Sequence, residues 1–118
     1  MADRFEHLET YLSAWDEPER LFAALAENFE LHDPDEAEVI TKTTMGEWMH
    51  RWVERVKAAG GTGAVENSDE ARVDRCGELI LWTWWRFAGT DVEGCALIKV
   101  GDDGVRSQKV AIHKAPPA

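Results

Sequence analysis

An α+β domain is the fold class this sequence predicts, with three N-terminal helices packed against an antiparallel β-sheet. Three observations lead there. Apolar residues recur at three- and four-residue steps up to about position 59. From position 62 the period drops to two, and Gly/Asp-rich words punctuate the runs. At 118 residues the chain is long enough for a core without metal or disulfide support. No repeat or linker divides it, so residues 1–118 read as one domain: helices over about 3–59, a sheet over about 62–114, and a frayed tail at 115–118.

Phe5, Leu8, Leu12 and Trp15 share one helical face with Tyr11, which predicts an amphipathic first helix. In "DEPER", Asp16 and Glu19 form a capping pair and Pro18 suits a first turn. Leu21, Phe22, Leu25 and Phe29 then give a second helix its buried stripe. Asp33-Pro34 breaks the helical pattern, because a residue before proline is pushed toward extended geometry. A short strand over 30–33 and an irregular connection over 34–42 follow. Thr44 and Glu47 make a second capping box for a third helix through Ala59. Its buried face is Met45, Trp48, Met49, Trp52, Val53 and Val56, and Gly60-Gly61 ends it.

Two short strands, "AVENS" and "EARVDRC", form a first pair. Longer strands run over 78–88, 91–100 and 105–114, joined by the turn words "AGTD" and "GDDG". Alternation assigns their faces. Leu79, Leu81, Thr83, Trp85 and Phe87 form one set. Glu78, Ile80, Trp82, Trp84 and Arg86 form the other, whose charged ends mark it as the outer face. Ile80, Trp82 and Trp84 at its centre are then expected to meet another surface. Two adjacent indoles, each able to bury about 150–250 Å², make a patch of the size that marks an interface. A homodimer through this face is the expectation; cover from a loop or the C-terminal tail is the alternative. In the next strand, Gly94 and Ala96 face inward and leave space, either filled by Trp48, Trp52 or Trp85 or open to a ligand.

The last hairpin has two readings. A two-residue Asp102-Asp103 turn without a bulge sets Ala96 opposite Lys109 and points Lys109 and His113 inward. A bulge shifts the register by one and turns Arg106, Gln108, Val110 and Ile112 inward.

The net charge of −10 is uneven: residues 1–59 carry 14 acids against 6 Lys/Arg. An acidic chain without a basic cluster argues against a nucleic-acid partner. Cys76 and Cys95 lack metal or disulfide-framework spacing and read as small buried side chains. No His pair has ligand spacing, so no metal is expected. "MADRFEHLET" is not a leader segment and no apolar run approaches a membrane span, so a cytoplasmic protein without membrane contact is expected.

Three stretches, "YLSAWDEPERLFAALAENFELHDP" (11–34), "GEWMHRWVERV" (46–56) and "VEGCALIKVGDDGVRSQKV" (92–110), resemble the nuclear transport factor 2-like superfamily. The similarity is to its SnoaL-like branch of polyketide cyclases and ketosteroid isomerases. The resemblance implies a curved sheet wrapped around a long helix as a cone (a cystatin-like roll), with a pocket at the open end and frequent dimers. It implies no cofactor. In the isomerase branch a first-helix tyrosine stabilises an oxyanion and an aspartate before a proline shuttles the proton; the matching positions are Tyr11 and Asp33. A second acidic donor on a later strand has no counterpart, since Ala96 stands there, which puts steroid isomerisation in doubt. The resemblance also favours the hairpin register with Lys109 and His113 inward.

The resulting expectation is a cone that takes a small apolar metabolite among Trp48, Trp52, Trp85, Ala96, Lys109 and His113. Asp33 and Tyr11 would serve isomerase, cyclase or dehydratase chemistry. Asp33 capping its own turn, a non-enzymatic association module, and a cone filled solid by tryptophan are the competing readings.

Overall fold

The computed structural model describes residues 2–114, the side chains of Asp69 and Glu70 apart. The expected tail at 115–118 lies outside the described residues. Helix α1 (Arg4–Ser13) starts where the Asp3 carboxylate accepts from the Glu6 N–H at 3.0 Å. It buries Leu8 and Tyr11 completely, while Phe5, expected in the stripe, stands exposed beneath the Arg4 guanidinium.

Helix α2 (Pro18–Ala23) is shorter than its spacing predicts. Its N-cap is Glu17, with no side-chain cap, and Asp16 does not form the expected box. Leu25 and Phe29 belong instead to strand β1 (Leu25–His32), and Phe22 is 49% exposed. The Ala24 carbonyl explains the change, because it accepts the Val105 N–H at 2.8 Å. Sheet pairing along a whole edge outweighs the helical tendency of one more turn. The alternating burial of Phe29 and Leu31 then continues as a strand should.

After the two-residue strand β2 (Ile40–Thr41), helix α3 (Met45–Ala58) buries Met45, Trp48, Met49, Trp52 and Val56, as the spacing predicts. The capping box does not form. Thr44 Oγ1 accepts from the Thr41 N–H at 2.8 Å, and Glu47 pairs with Arg51. At the other end Gly60, at φ +97°, lets the Gly60 and Gly61 N–H groups donate to the Lys57 and Val56 carbonyls.

Strands β3 (Val65–Arg75), β4 (Glu78–Phe87), β5 (Glu93–Gly101) and β6 (Gly104–Lys114) complete a curved six-stranded sheet in the order β2-β1-β6-β5-β4-β3. Successive strands from β3 to β6 pair antiparallel, and β1 joins β6 in parallel. The expected first pair of short strands is one continuous strand, β3, whose register shifts between Asp69 and Ala71. It turns into β4 through Cys76-Gly77, both at positive φ, the geometry of a tight two-residue hairpin. Cys76 is therefore exposed rather than buried; Cys95 is buried as expected.

The last hairpin combines features of both readings. Gly101 pairs with Gly104 across Asp102-Asp103, but Val100 pairs with Val105 and Lys99 with Ser107, leaving Arg106 as the extra residue. Arg106 is held out of the ladder by Asp103 at 2.9 Å and Glu78 at 3.1 Å. Its guanidinium occupies the space a Cβ on Gly101 would need. From there Ala96 faces Val110 and Gly94 faces Ile112. Gln108, Val110 and Ile112 turn inward, whereas Lys109 and His113, expected inside, are exposed.

Candidate functional site

Inner residues of β4 and β5, one face of α3 and the end of α1 converge on a chain of aromatic rings. Tyr11 meets Trp15 at 5.8 Å between centroids, Trp15 meets Trp48 at 5.8 Å, and Trp48 meets Trp52 at 6.0 Å. Trp52 continues to Trp85 at 5.9 Å and stacks on Phe87 at 5.8 Å. These are the edge-on and stacked spacings at which ring pairs attract. They line a cavity of about 30 Å³ that also touches Ala96 and Gln108, and none of the described side chains bordering it is charged. That space is on the order of one or two waters. The tryptophans therefore fill most of the cone.

Space next to Gly94 is occupied as well. A Cβ there would collide with the Trp85 ring and with the Ala111 carbonyl oxygen, so glycine is what allows the indole to pack against β5. Of the two small inward residues, Gly94 accommodates Trp85 and Ala96 borders the cavity.

Polar groups at the cavity are few. The Tyr11 hydroxyl, fully buried, donates to Gln108 Oε1 in a short hydrogen bond. Burial pushes its pKa well above the usual tyrosine value, because desolvation disfavours the phenolate, so Tyr11 is a neutral donor. Thr83 Oγ1 donates to the Ser68 carbonyl at 3.2 Å, and Asn67 Nδ2 donates to the Leu12 carbonyl at 3.4 Å. The Trp85 indole N–H, buried in the wall, has no partner.

Asp33 is buried but does not border the cavity. Its Oδ2 accepts from Trp48 Nε1 at 3.0 Å, and its Oδ1 accepts from the Asp35 N–H at 2.9 Å. The second bond closes the turn at Pro34 in the way an aspartate before proline commonly does. Asp33 reaches the cavity only through the Trp48 ring. Of the expected site residues, the structure brings Tyr11, Trp48, Trp52, Trp85 and Ala96 together around one space, with Asp33 behind it. Lys109 and His113 lie on the other side of the sheet, because the Arg106 bulge reverses their faces. Trp15, Phe87 and Gln108 also border the cavity. Trp15 was within reach of sequence reasoning, four residues after Tyr11, whereas Gln108 depends on the bulge. Among the described residues no group of three His, Cys, Asp or Glu side chains could hold a metal ion.

On the outer face, Trp82 and Trp84 are 42% and 38% exposed, beside the half-buried Ile80 and an exposed Val73 on β3. Trp84 is partly covered: His113 stacks on it at 4.8 Å, and its N–H donates to Glu93 at 3.2 Å.

No protein-family model matches the chain, and no curated protein matches it. Solved structures do. An NTF2-like protein of unknown function from Cytophaga hutchinsonii is similar over 95% of this chain and 91% of its own, with a TM-score of 0.63 and 10% identity. A putative ketosteroid isomerase from Kribbella flavida is similar over 95% and 80%, with a TM-score of 0.61 and 15% identity. A putative polyketide cyclase from Sinorhizobium meliloti is similar over 89% and 93%, with a TM-score of 0.59 and 14% identity. At these identities the likeness is one of fold: this chain has the NTF2-like α+β fold.

Proposed function

We propose that this NTF2-like domain binds a small, largely apolar molecule within the ring of Tyr11, Trp15, Trp48, Trp52, Trp85 and Phe87, and needs no cofactor to do so. The observation that carries the reading is the character of that wall: five aromatic rings from α1, α3 and β4 and a sixth, Trp15, from the turn after α1 surround one space, with no charged residue among the described side chains that line it. An apolar pocket with a few fixed polar groups is the common form of a small-molecule site. About 30 Å³ is far below the roughly 300 Å³ where such pockets begin, so uptake requires rings to move apart. Trp15 is placed to move, because it sits in the turn between α1 and α2 rather than within a helix.

Two structures of this fold are described as a putative isomerase and a putative cyclase. By analogy, Tyr11 is the group suited to cofactor-free chemistry here, as a neutral donor to a developing oxyanion once its O–H turns away from Gln108 Oε1. Asp33 is suited to holding Trp48 in place, since both its oxygens are already engaged. Thermal unfolding against a panel of lipophilic metabolites tests the binding. At a hundredfold excess over Kd the melting temperature should rise on the order of 10 °C, by mass action on the folded state. No shift with any member of a broad panel would count against the reading.

A second reading, a homodimer of a cytoplasmic protein through the outer sheet face, rests on the exposed Trp82, Trp84 and Val73. An apolar patch on a strand face commonly meets a partner. Sedimentation of the wild-type chain and of Trp84→Glu tests it: a dimer that becomes a monomer is the expected pair of results.

A further inference from the structure

The indole N–H of Trp85 is the one buried side-chain polar atom without a partner among the described residues. The residue is 7% exposed; its ring packs on Gly94 through Cζ2 and Cε2 and also borders the cavity. Buried indole N–H groups nearly always find an acceptor, because leaving one unpaired forfeits its hydration with nothing in return. The five other tryptophans include two whose N–H is accounted for by a carboxylate: Trp48 by Asp33 and Trp84 by Glu93. Among the described side chains of the cavity wall, Trp85 has no acidic neighbour.

Gln108 is the second group that bears on the question. It is buried, borders the same cavity, and its amide oxygen is already taken by the Tyr11 hydroxyl. What remains on Gln108 is its amide N–H₂, which can only donate. The two buried uncommitted groups at the cavity are thus donors, and neither carries charge; the half-buried Asn67, whose amide nitrogen is spent on the Leu12 carbonyl, keeps an oxygen that can accept. A cation would meet the Trp85 and Gln108 N–H groups and find no counter-ion among the described lining side chains. A carboxylate would be stripped of water with no positive group to pair with. A neutral acceptor oxygen suits the site, and a pure hydrocarbon leaves both donors unserved.

We infer that Trp85 is the specificity-determining donor of the cavity, acting with Gln108. The ligand is then a small uncharged molecule that places one acceptor oxygen, such as a carbonyl or ether, against an apolar body. This rests on the reading that the cavity takes small molecules and adds the chemistry by which it selects them. Tyr11 contributes indirectly, by turning the Gln108 amide so that its nitrogen is the free end.

Cyclohexanone and methylenecyclohexane test the assignment, because they share a shape and differ in C=O against C=CH₂. Calorimetric titration of the wild-type protein should give cyclohexanone at least roughly tenfold tighter binding, the scale of one hydrogen bond to an otherwise unpaired donor. The Trp85 indole N–H resonance should move downfield with the ketone, beyond any ring-current shift that methylenecyclohexane also causes. In Trp85→Phe the preference should collapse while methylenecyclohexane still binds. Equal binding of both probes to the wild type overturns the inference and leaves the cavity reading standing. A ketone preference that survives Trp85→Phe and disappears in Gln108→Met overturns the assignment to Trp85. Binding of neither probe removes the cavity reading itself, and the inference with it. Should Trp85→Phe not fold, the wild-type resonance shift and the Gln108→Met titration still decide.

Discussion

Trp84 and Trp85 are consecutive on β4 and stand in opposite conditions. Trp84 faces outward, yet its hydrogen-bonding need is met by Glu93 and its ring is capped by His113. Trp85 faces inward among other rings, yet its N–H has no acceptor. One expects the reverse, since water serves an exposed donor without help and burial punishes an unpaired one. The difference teaches that Trp84 has its polar need met on the outer face, whereas the inner face is apolar in its packing and incomplete in its polar groups. Incomplete polar satisfaction within a packed core is where a binding function is to be sought.

The inner face should therefore be costly to alter. Trp52→Ala removes a ring packed on Trp48, Trp85 and Phe87 and should cost about 3–5 kcal/mol in denaturant unfolding. A loss below 1 kcal/mol would mean that the rings are loosely packed and that the cavity is not defined. Next in size is Asp33→Ala, which frees the Trp48 N–H and the turn at Pro34; about 1–3 kcal/mol is expected. Its effect should also reach the cavity, as a changed Trp48 environment in near-ultraviolet circular dichroism. Trp84→Glu belongs to the outer face and should leave monomer stability within about 0.5 kcal/mol, its effect falling on association alone. A loss on the scale of Trp52→Ala would erase the contrast between the faces.

The smallest effect lies away from both faces, at Arg4. Its guanidinium donates to Asp74 at 2.8 Å and to Asp102 at 3.0 Å, and side-chain hydrogen bonding to Arg4 holds both carboxyls below the usual aspartate range. Depressed folded-state values mean a contribution that is present above the unfolded pKa of about 4 and lost as pH falls through the lower folded values. Both pairs face solvent, so screening keeps the contribution small. Arg4→Met should flatten the acid limb of the stability curve below about pH 4 and leave neutral pH nearly unchanged.

Strong periodicity made much of this fold legible. The apolar face of α3, the facing of β4 and the exposure of Trp82 and Trp84 follow from spacing alone, because each is set by a local period and a single buried side. Tyr11, Trp48, Trp52, Trp85 and Ala96 could be gathered into one place for the same reason. What escaped depends on distant pairing. Leu25 and Phe29 fit a helical stripe and became strand because the Ala24 carbonyl pairs with Val105, some eighty residues on in the chain. Lys109 and His113 were lost from the site, and Gln108 gained, through one extra residue at Arg106 whose position depends on Glu78 from another hairpin. Register is sensitive in this way because a slip of one residue exchanges the two faces of a strand.

The inner and outer tryptophans can be told apart in one experiment on the native protein. Indole N–H resonances are followed by ¹H–¹⁵N spectroscopy while methylenecyclohexane is added, a probe with no polar group to bias the outcome. Saturable shifts at Trp15, Trp48, Trp52 and Trp85, with Trp82 and Trp84 unmoved, are the predicted result. Shifts confined to Trp82 and Trp84, or none at any of the six, would contradict the account.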